Sequence, residues 1–331
     1  MSKNQKNQNT VCIDLSKSEL APVCLFVYNR LDETRKTINF LKKNFLAIKT
    51  KLFIFSDGYK STKDEKLVMS VRNYINKIEG FKSIDIFESN TNKGLAKSII
   101  DGVSYVFNEH NKLIVLEDDL ITTPNFLDYM NQALNFYKNN KSVMSINGFS
   151  LDVGVNSSNN TDVFFHSRTY SWGWGTWKSC WDEEYFDNRK IQNKLNIKTL
   201  NLFKKKCGND ISNMLIDCLE GKNSSWYVKW VFRHFVTNKY GLYPIFSKVQ
   251  NIGYGEMATH CKTIDVLKTK HDKKYLREFV FSDKVYIDQK INYRFLNYFT
   301  FKHKLFFRIK LIFKKHGINL LLKDIQQKYI K

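Results

Sequence analysis

The chain has 331 residues, 43% hydrophobic and 26% charged, with 14 Gly and 3 Pro. That balance excludes a disordered, collagen-like or linker-dominated protein and leaves room for one large domain or two ordinary ones. The net charge of +21, from 53 Lys and Arg against 32 Asp and Glu, suits an anionic partner, but only nine of the basic residues are Arg and AT-rich coding is a competing cause.

Residues 1–20 read as a flexible polar leader without the apolar stretch of a secretory signal. Pro22 opens the apolar run Val23 to Tyr28, a buried strand ending at Asn29-Arg30. Leu31, Thr34, Ile38, Leu41 and Phe45 follow at helical spacing. Leu52 to Phe55 is a second strand, ending at Ser56-Asp57-Gly58, and a helix is predicted from Glu65 to Ile78. Ile84 to Phe87 is a third strand, followed by the turn Asn90 to Gly94 and a helix through Leu95, Ile99, Val103 and Val106. Leu113 to Leu116 is a fourth strand and runs into Glu117-Asp118-Asp119.

Strands alternating with helices at this spacing imply βαβ units, hence an α/β fold with a mostly parallel sheet flanked by helices. In such sheets ligands bind outside the carboxyl ends of the strands. Four polar groups stand at those ends: Asn29/Arg30, Asp57, Asn92/Lys93 and the carboxylate triplet. No GxGxxG follows the first strand and no GxxxxGK[ST] occurs, which excludes the dinucleotide and P-loop readings.

Beyond Pro124 a helix carries Phe126, Met130, Ala133, Leu134 and Tyr137 on one side. Val143 to Ile146 and Phe164 to His166 are further strands, separated by a polar loop over 151–162. Next comes Tyr170 to Trp177, with three tryptophans separated by small residues and Trp181 close behind. Trp offers a broad apolar face for a sugar ring; core packing at a domain seam is the competing use, more so for Trp174 and Trp177 than for Trp172. The six cysteines include no CxxC pair and read as reduced thiols of a cytosolic protein. No stretch reaches the roughly 18–20 uninterrupted apolar residues of a spanning helix.

A carboxylate triplet after a buried strand has a chemical use. Hard divalent cations take oxygen ligands, and a cation bridging a departing diphosphate stabilises its developing charge. With the strand-end pattern, this favours a nucleotide site over a solvated acidic turn.

At this point the chain resembles a GT-A (Rossmann-like) nucleotide-sugar glycosyltransferase, a bacterial sugar transferase related to the N-acetylglucosaminyltransferase I group. The residues that carry the likeness are Pro22 to Arg30, Phe55 to Gly58, Asn92 to Ala96, Glu117 to Asp119 and Trp172 to Trp177, with weaker matches at Asn251 to Gly253 and Thr259 to Cys261. The resemblance implies a glycosyltransferase domain over 21–265, with a nucleotide-binding half at 21–120 and an acceptor half at 121–265. It implies that Asp119 binds Mn²⁺ or Mg²⁺; His260 is a candidate to approach the metal or the diphosphate, with a buried, hydrogen-bonded His the competing use. Glu117 and Asp118 would lie near the ribose and donor sugar, Asp57 near the base, and Asn29, Arg30, Lys93 and Gly94 in the nucleotide pocket. Trp172 and Trp174 would face the acceptor.

An inverting transferase needs a general base for the acceptor hydroxyl. The family places an acid in a Trp-acid-x-x-Trp turn, and this chain has Tyr227 there, within Trp226 to Trp230. Glu256 in a Gly-flanked loop is the favoured substitute, with Asp182 and Glu183 next.

Residues 289–331 carry eleven Lys and Arg against one acid, Asp324, interleaved with Phe, Leu and Ile. With 266–331 taken as a helical, basic, amphipathic C-terminal extension, this pattern suits an anionic membrane surface, while helix packing on the body is the competing reading. Nucleic acid is not expected, because no nucleic-acid module is visible. The expected activity is a metal-dependent hexosyl transfer from a nucleoside-diphosphate sugar, such as a UDP-sugar, to a lipid-linked or oligosaccharide acceptor. The setting would be surface-polysaccharide synthesis, capsule or O-antigen, at the inner face of a bacterial cell membrane. A nucleotidyltransferase is the enzymatic rival, though it normally carries a Gly-rich loop at the first strand end. A non-catalytic membrane- or nucleic-acid-binding protein on a decayed transferase fold is the other, kept open by Tyr227.

Overall fold

The computed structural model describes residues 19–155, 161–253, 267 and 269–313. An eight-stranded sheet runs in the order β3-β2-β1-β4-β8-β6-β9-β7. Its strands are β1 (Val23–Val27), β2 (Lys51–Ser56), β3 (Ser83–Glu88), β4 (Lys112–Glu117), β6 (Val143–Asn147), β7 (Val163–His166), β8 (Trp174–Trp177) and β9 (Tyr240–Pro244). Pairing is parallel from β3 through β4 and between β6 and β9, whereas β8 and β7 run against their neighbours. All five residues of β1 are buried, as a central strand covered on both faces requires. The α/β sheet read from the sequence is therefore present.

Helices α1 (Leu31–Lys42), α2 (Thr62–Ile75) and α3 (Leu95–Val106) link the parallel strands, and α4 (Phe126–Phe136) follows β4. Each of the first three turns a narrow stripe to the sheet, for example Ile99, Gly102, Val103 and Val106 of α3. The order 3-2-1-4 means that the chain leaves β1 on one side and returns on the other. The crevice between the carboxyl ends of β1 and β4 is thus the topological switch point, where such sheets bind ligands.

Helices α5 (Asn188–Gln192), α6 (Ile197–Cys207), α7 (Asn209–Leu219) and α8 (Trp226–Val236) lie between β8 and β9. They enclose a second apolar cluster with Phe203, Cys207, Leu215, Val231 and Phe232 at its centre. Helix α8 belongs to both cores, since Trp226 and Trp230 join the main one.

The main core does not stop at residue 265. Phe279, Ile291, Phe295, Tyr298 and Phe299 belong to it, and Phe295, in α9 (Gln289–Asn297), is fully buried against His166 and Tyr243. Asn125 donates to Asp272 Oδ2 at 2.8 Å, Arg277 pairs with Asp128 at 2.9 Å, and the Tyr137 hydroxyl donates to the Ser282 carbonyl at 2.9 Å. The stretch from 269 to 299 is thus a strap across α4 and β7, and the separate extension expected from 266 is corrected to that extent. Among the described residues of α10 (Phe301–Ile312), Phe301, Leu305, Phe306 and Ile309 are exposed, as is Phe313 just past it.

Candidate active site at the β1–β4 crevice

The floor of the crevice is an arginine set against two carboxylates. Arg30 leaves the end of β1, and its Nη2 pairs with Asp118 Oδ1 while Nη1 donates to Asp119 Oδ2 at 3.0 Å. All three side chains are nearly withdrawn from water, Asp118 most. The Thr34 hydroxyl donates to the Arg30 carbonyl and the Thr37 hydroxyl to the Asp118 carbonyl, so the first turns of α1 hold both strand ends. The flanking carboxylates raise Arg30 further above its ordinary value against the opposing effect of burial. Desolvation, then the nearby Asp119 and Asp118, pushes Glu117 up to about 8. Desolvation pushes Asp118 up to about 6, with Arg30 opposing the rise and Asp119 adding to it.

One guanidinium pairs with two carboxylates beside a third carboxyl group, Glu117, and Asp118 Oδ2 is buried without a hydrogen-bond partner among the described residues. Hard oxygen donors short of positive charge fit a divalent cation. Among the described residues no three His, Cys, Asp or Glu side chains converge as a protein-only metal cage. The fit is to a cation held by one or two carboxylates and completed by phosphate oxygens, the usual mode of Mg²⁺.

Opposite, Gly253 packs against Asp119 so closely that a Cβ there would stand 2.0 Å from Asp119 Oδ2. The contact follows from pairing of β10 (Val249–Asn251) with β5 (Leu120–Thr122), which directly follows the triplet, and from the Ile252 N–H bond to the Asp119 carbonyl at 2.8 Å. Glu256 and His260 lie outside the described residues.

Asp57, at the end of β2, binds the next turn. Its Oδ1 accepts from the Gly58 and Lys93 backbone N–H groups, and its Oδ2 from Gly94 N–H and Asn92 Nδ2, at 2.9–3.2 Å. Those bonds use the carboxylate's acceptor sites, so it holds the turn ahead of α3 rather than standing open for a base. Gly94 has φ of +77°, a conformation that favours glycine at the entry to the helix. Lys93 extends along α3, with Nζ 3.3 Å from Asp101. Asn29 donates to Asp64 of α2 at 3.3 Å.

Two residues that sequence reasoning passed over complete this edge. Arg72 of α2 is buried and donates to Ser56 Oγ and to the Asp57 and Ser89 carbonyls, fastening the ends of β2 and β3. Asp64 joins Asn29 to Ser61 at the rim. Neither has a local sequence signal: Arg72 reads as an ordinary polar position of the helix predicted from Glu65 to Ile78, and Asp64 falls just before it.

The tryptophan segment divides. Trp174 opens β8, has no exposed surface, and packs on Trp181, Trp226 and Trp230 with ring centroids 5.2–5.9 Å away. It is a core residue here, and the acceptor-facing expectation is corrected for it. Trp172 precedes β8 at the carboxyl edge, is partly exposed, and meets Phe149 and Tyr170 edge to face. Because β8 is antiparallel to β4, with Trp174 opposite Val115, Trp172 comes level with Glu117.

The same reversal sends the chain after Trp177 to the other edge of the sheet. Asp182 lies there, capping a 3-10 turn through the Glu184 N–H at 2.9 Å, away from the triplet. Its neighbour Glu183 opens the same turn. Tyr227, at the position of the family's acid, donates to the Thr169 carbonyl at 3.0 Å and accepts from Arg168, which pairs in turn with Asp210.

No protein-family model matches this chain, and no curated protein matches it. Among solved structures it is similar to the mannosyltransferase PcManGT of Pyrobaculum calidifontis in complex with GDP-Man and Mn²⁺, at 10% identity over 49% of this chain and 46% of that one, TM-score 0.35. It is similar to S. aureus TarS at 15% identity over 38% and 21%, TM-score 0.28. It is also similar to a UDP-glucose pyrophosphorylase complexed with UDP-glucose at 13% identity over 70% and 92%, TM-score 0.33. The chain thus spans less than half the length of the first two. None of these likenesses bears on the chemistry, which rests on the crevice residues themselves.

Proposed function

We propose that this chain is a GT-A-type glycosyltransferase that binds a nucleoside-diphosphate sugar at the β1–β4 crevice and transfers the sugar to a glycan acceptor. The observation that carries the reading is the charge-deficient set of Glu117, Asp118 and Asp119 at the switch point, opposite Arg30. Asp119 and Asp118 would hold Mn²⁺ or Mg²⁺. When bound, the cation supplies Lewis-acid stabilisation of the departing diphosphate. Arg30 is the nearest protein cation and offers two donors to phosphate oxygens once it turns from the carboxylates. Asp57 fixes the 92–94 turn beside the nucleotide side, and Arg72 fastens the strand ends next to it. Trp172, backed by the buried Phe149 and Tyr170, offers an aromatic edge for the acceptor sugar.

The reading extends to a lipid-linked acceptor at a membrane face. The support is the exposed apolar side chains of α10 beside Lys302 in a strongly basic segment. Among the described residues no helix is long and apolar enough to cross a membrane. Co-sedimentation with anionic vesicles should fall on removal of 301–331 and with added salt, and equal sedimentation of the two chains overturns this extension.

The test of the core reading is a thermal-shift panel of nucleoside diphosphates with and without Mn²⁺. The expected result is stabilisation by at least one diphosphate that requires the metal. No metal-dependent shift with any nucleotide removes the proposal.

A further inference from the structure

Helix α8 has three faces. Trp226, Trp230 and His234 turn to the sheet, and Val228, Val231 and Phe235 turn to the second core. Lys229, Arg233 and Val236, spaced four and three apart, share the remaining face and line a cavity of about 230 Å³. Tyr185, Lys190 and Lys194 line it from the other side. The cavity is remote from the strand ends. Thr237, just past α8, bonds to Met144 at the start of β6, and the chain then enters β9 at the amino edge of the sheet.

The charges of this cavity do not balance. Of its lining residues Lys190, Lys194, Lys229 and Arg233 are cationic, and only Glu184 is acidic. Glu184 is committed to Lys190 at 2.5 Å. Lys229 Nζ donates to the Phe186 carbonyl at 2.7 Å and meets no carboxylate among the described residues. The Arg233 guanidinium lies 3.4 Å over the Tyr185 ring and donates Nη2 to the Tyr185 hydroxyl. Its Nε is buried without an acceptor among the described residues. Two half-buried cations one helical turn apart repel each other, and an unmet buried donor costs free energy. An anion in the cavity would relieve the repulsion between Lys229 and Arg233.

We propose that this cavity is a second ligand site that binds a phosphate or diphosphate group. A dianion matches the surplus better than a single carboxylate, and the arginine fork beside a lysine point charge is the donor set phosphate takes. The group can belong to a soluble phosphorylated compound or to a lipid phosphate. The site does not depend on the chemistry proposed for the β1–β4 crevice.

The test is calorimetric titration of the full chain in chelator-treated, metal-free buffer. The probes are inorganic pyrophosphate and a short-chain phosphatidic acid below its micelle concentration. Saturable binding of either is expected, and the preferred probe assigns the soluble or lipid source. Lys229→Gln and Arg233→Gln should each weaken it by about tenfold or more, as loss of a charge-assisted hydrogen bond does. Arg233→Lys should recover part of the loss. Arg233 also packs on Tyr185 and its removal can disturb folding, so Lys229→Gln, whose Nζ bonds the Phe186 carbonyl and no carboxylate among the described residues, carries the test independently. Failure of both probes to bind, or unchanged affinity in Lys229→Gln, overturns the proposal.

Discussion

Replacing Arg30 with Met should expose the electrostatics of the crevice most sharply. The substitution keeps an apolar stem and removes the guanidinium that meets Asp118 and Asp119. Side-chain exposure is 11% for Arg30, 4% for Asp118 and 13% for Asp119, so the charges left behind have little water to turn to. Removing one partner of a buried ion pair costs about 3–5 kcal/mol, mainly because the remaining charge stays buried. For a chain of this size that is roughly 6–10 °C in Tm, at the low end of the usual conversion. The assay is urea unfolding in metal-free buffer at neutral pH. Adding Asp118→Asn to Arg30→Met should return part of the loss, because the stranded charge is then gone. A loss below about 1 kcal/mol, the range of an exposed pair, would refute the reasoning and place the guanidinium in solvent.

Trp174→Ala should cost about 3–5 kcal/mol by urea unfolding, as expected for a fully buried aromatic side chain, while Trp172→Ala should cost far less and impair only acceptor use. Gly253→Ala should drive Asp119 from its place and weaken Mn²⁺ binding by about tenfold or more, read by calorimetry, because loss of a contact to a charged group is worth 1.5–3 kcal/mol. Burial holds His166 and His234 down to about 3, so both stay neutral in the fold while the unfolded chain takes up protons below about 6.5. Their contribution is present above 6.5 and lost as pH falls towards 3, amounting to about 2 kcal/mol each at pH 5; His166→Phe should flatten that acid limb in urea titrations at pH 7 and pH 5.

The parallel half of the fold was legible because each strand there is a short apolar run and each helix an apolar stripe. Val23 to Val27 and Leu95 to Val106 say so locally. The Trp172 to Trp177 segment was not. Its glycines suggest a loop, yet Trp174 to Trp177 form a strand between β4 and β6, and that direction puts Trp172 at the crevice and Asp182 at the far edge. Strand direction is a long-range property that no window of sequence carries. The strap over 269–299 was missed for the same reason, since Asn125 and Asp272 meet across 147 residues. The carboxylate triplet was visible as a motif, but not its tie to Arg30 across 88 residues, nor the saturation of Asp57 by the following turn.

The central claim is that Asp119 helps hold a cation on which diphosphate binding depends. Titration of UDP and GDP into the full chain with and without Mn²⁺, repeated on Asp119→Ala, tests it directly. The account predicts metal-dependent binding of at least one diphosphate to the unaltered chain and its loss in Asp119→Ala, with the unfolding transition of the variant still cooperative. Equal metal-dependent affinity in the two chains would contradict it.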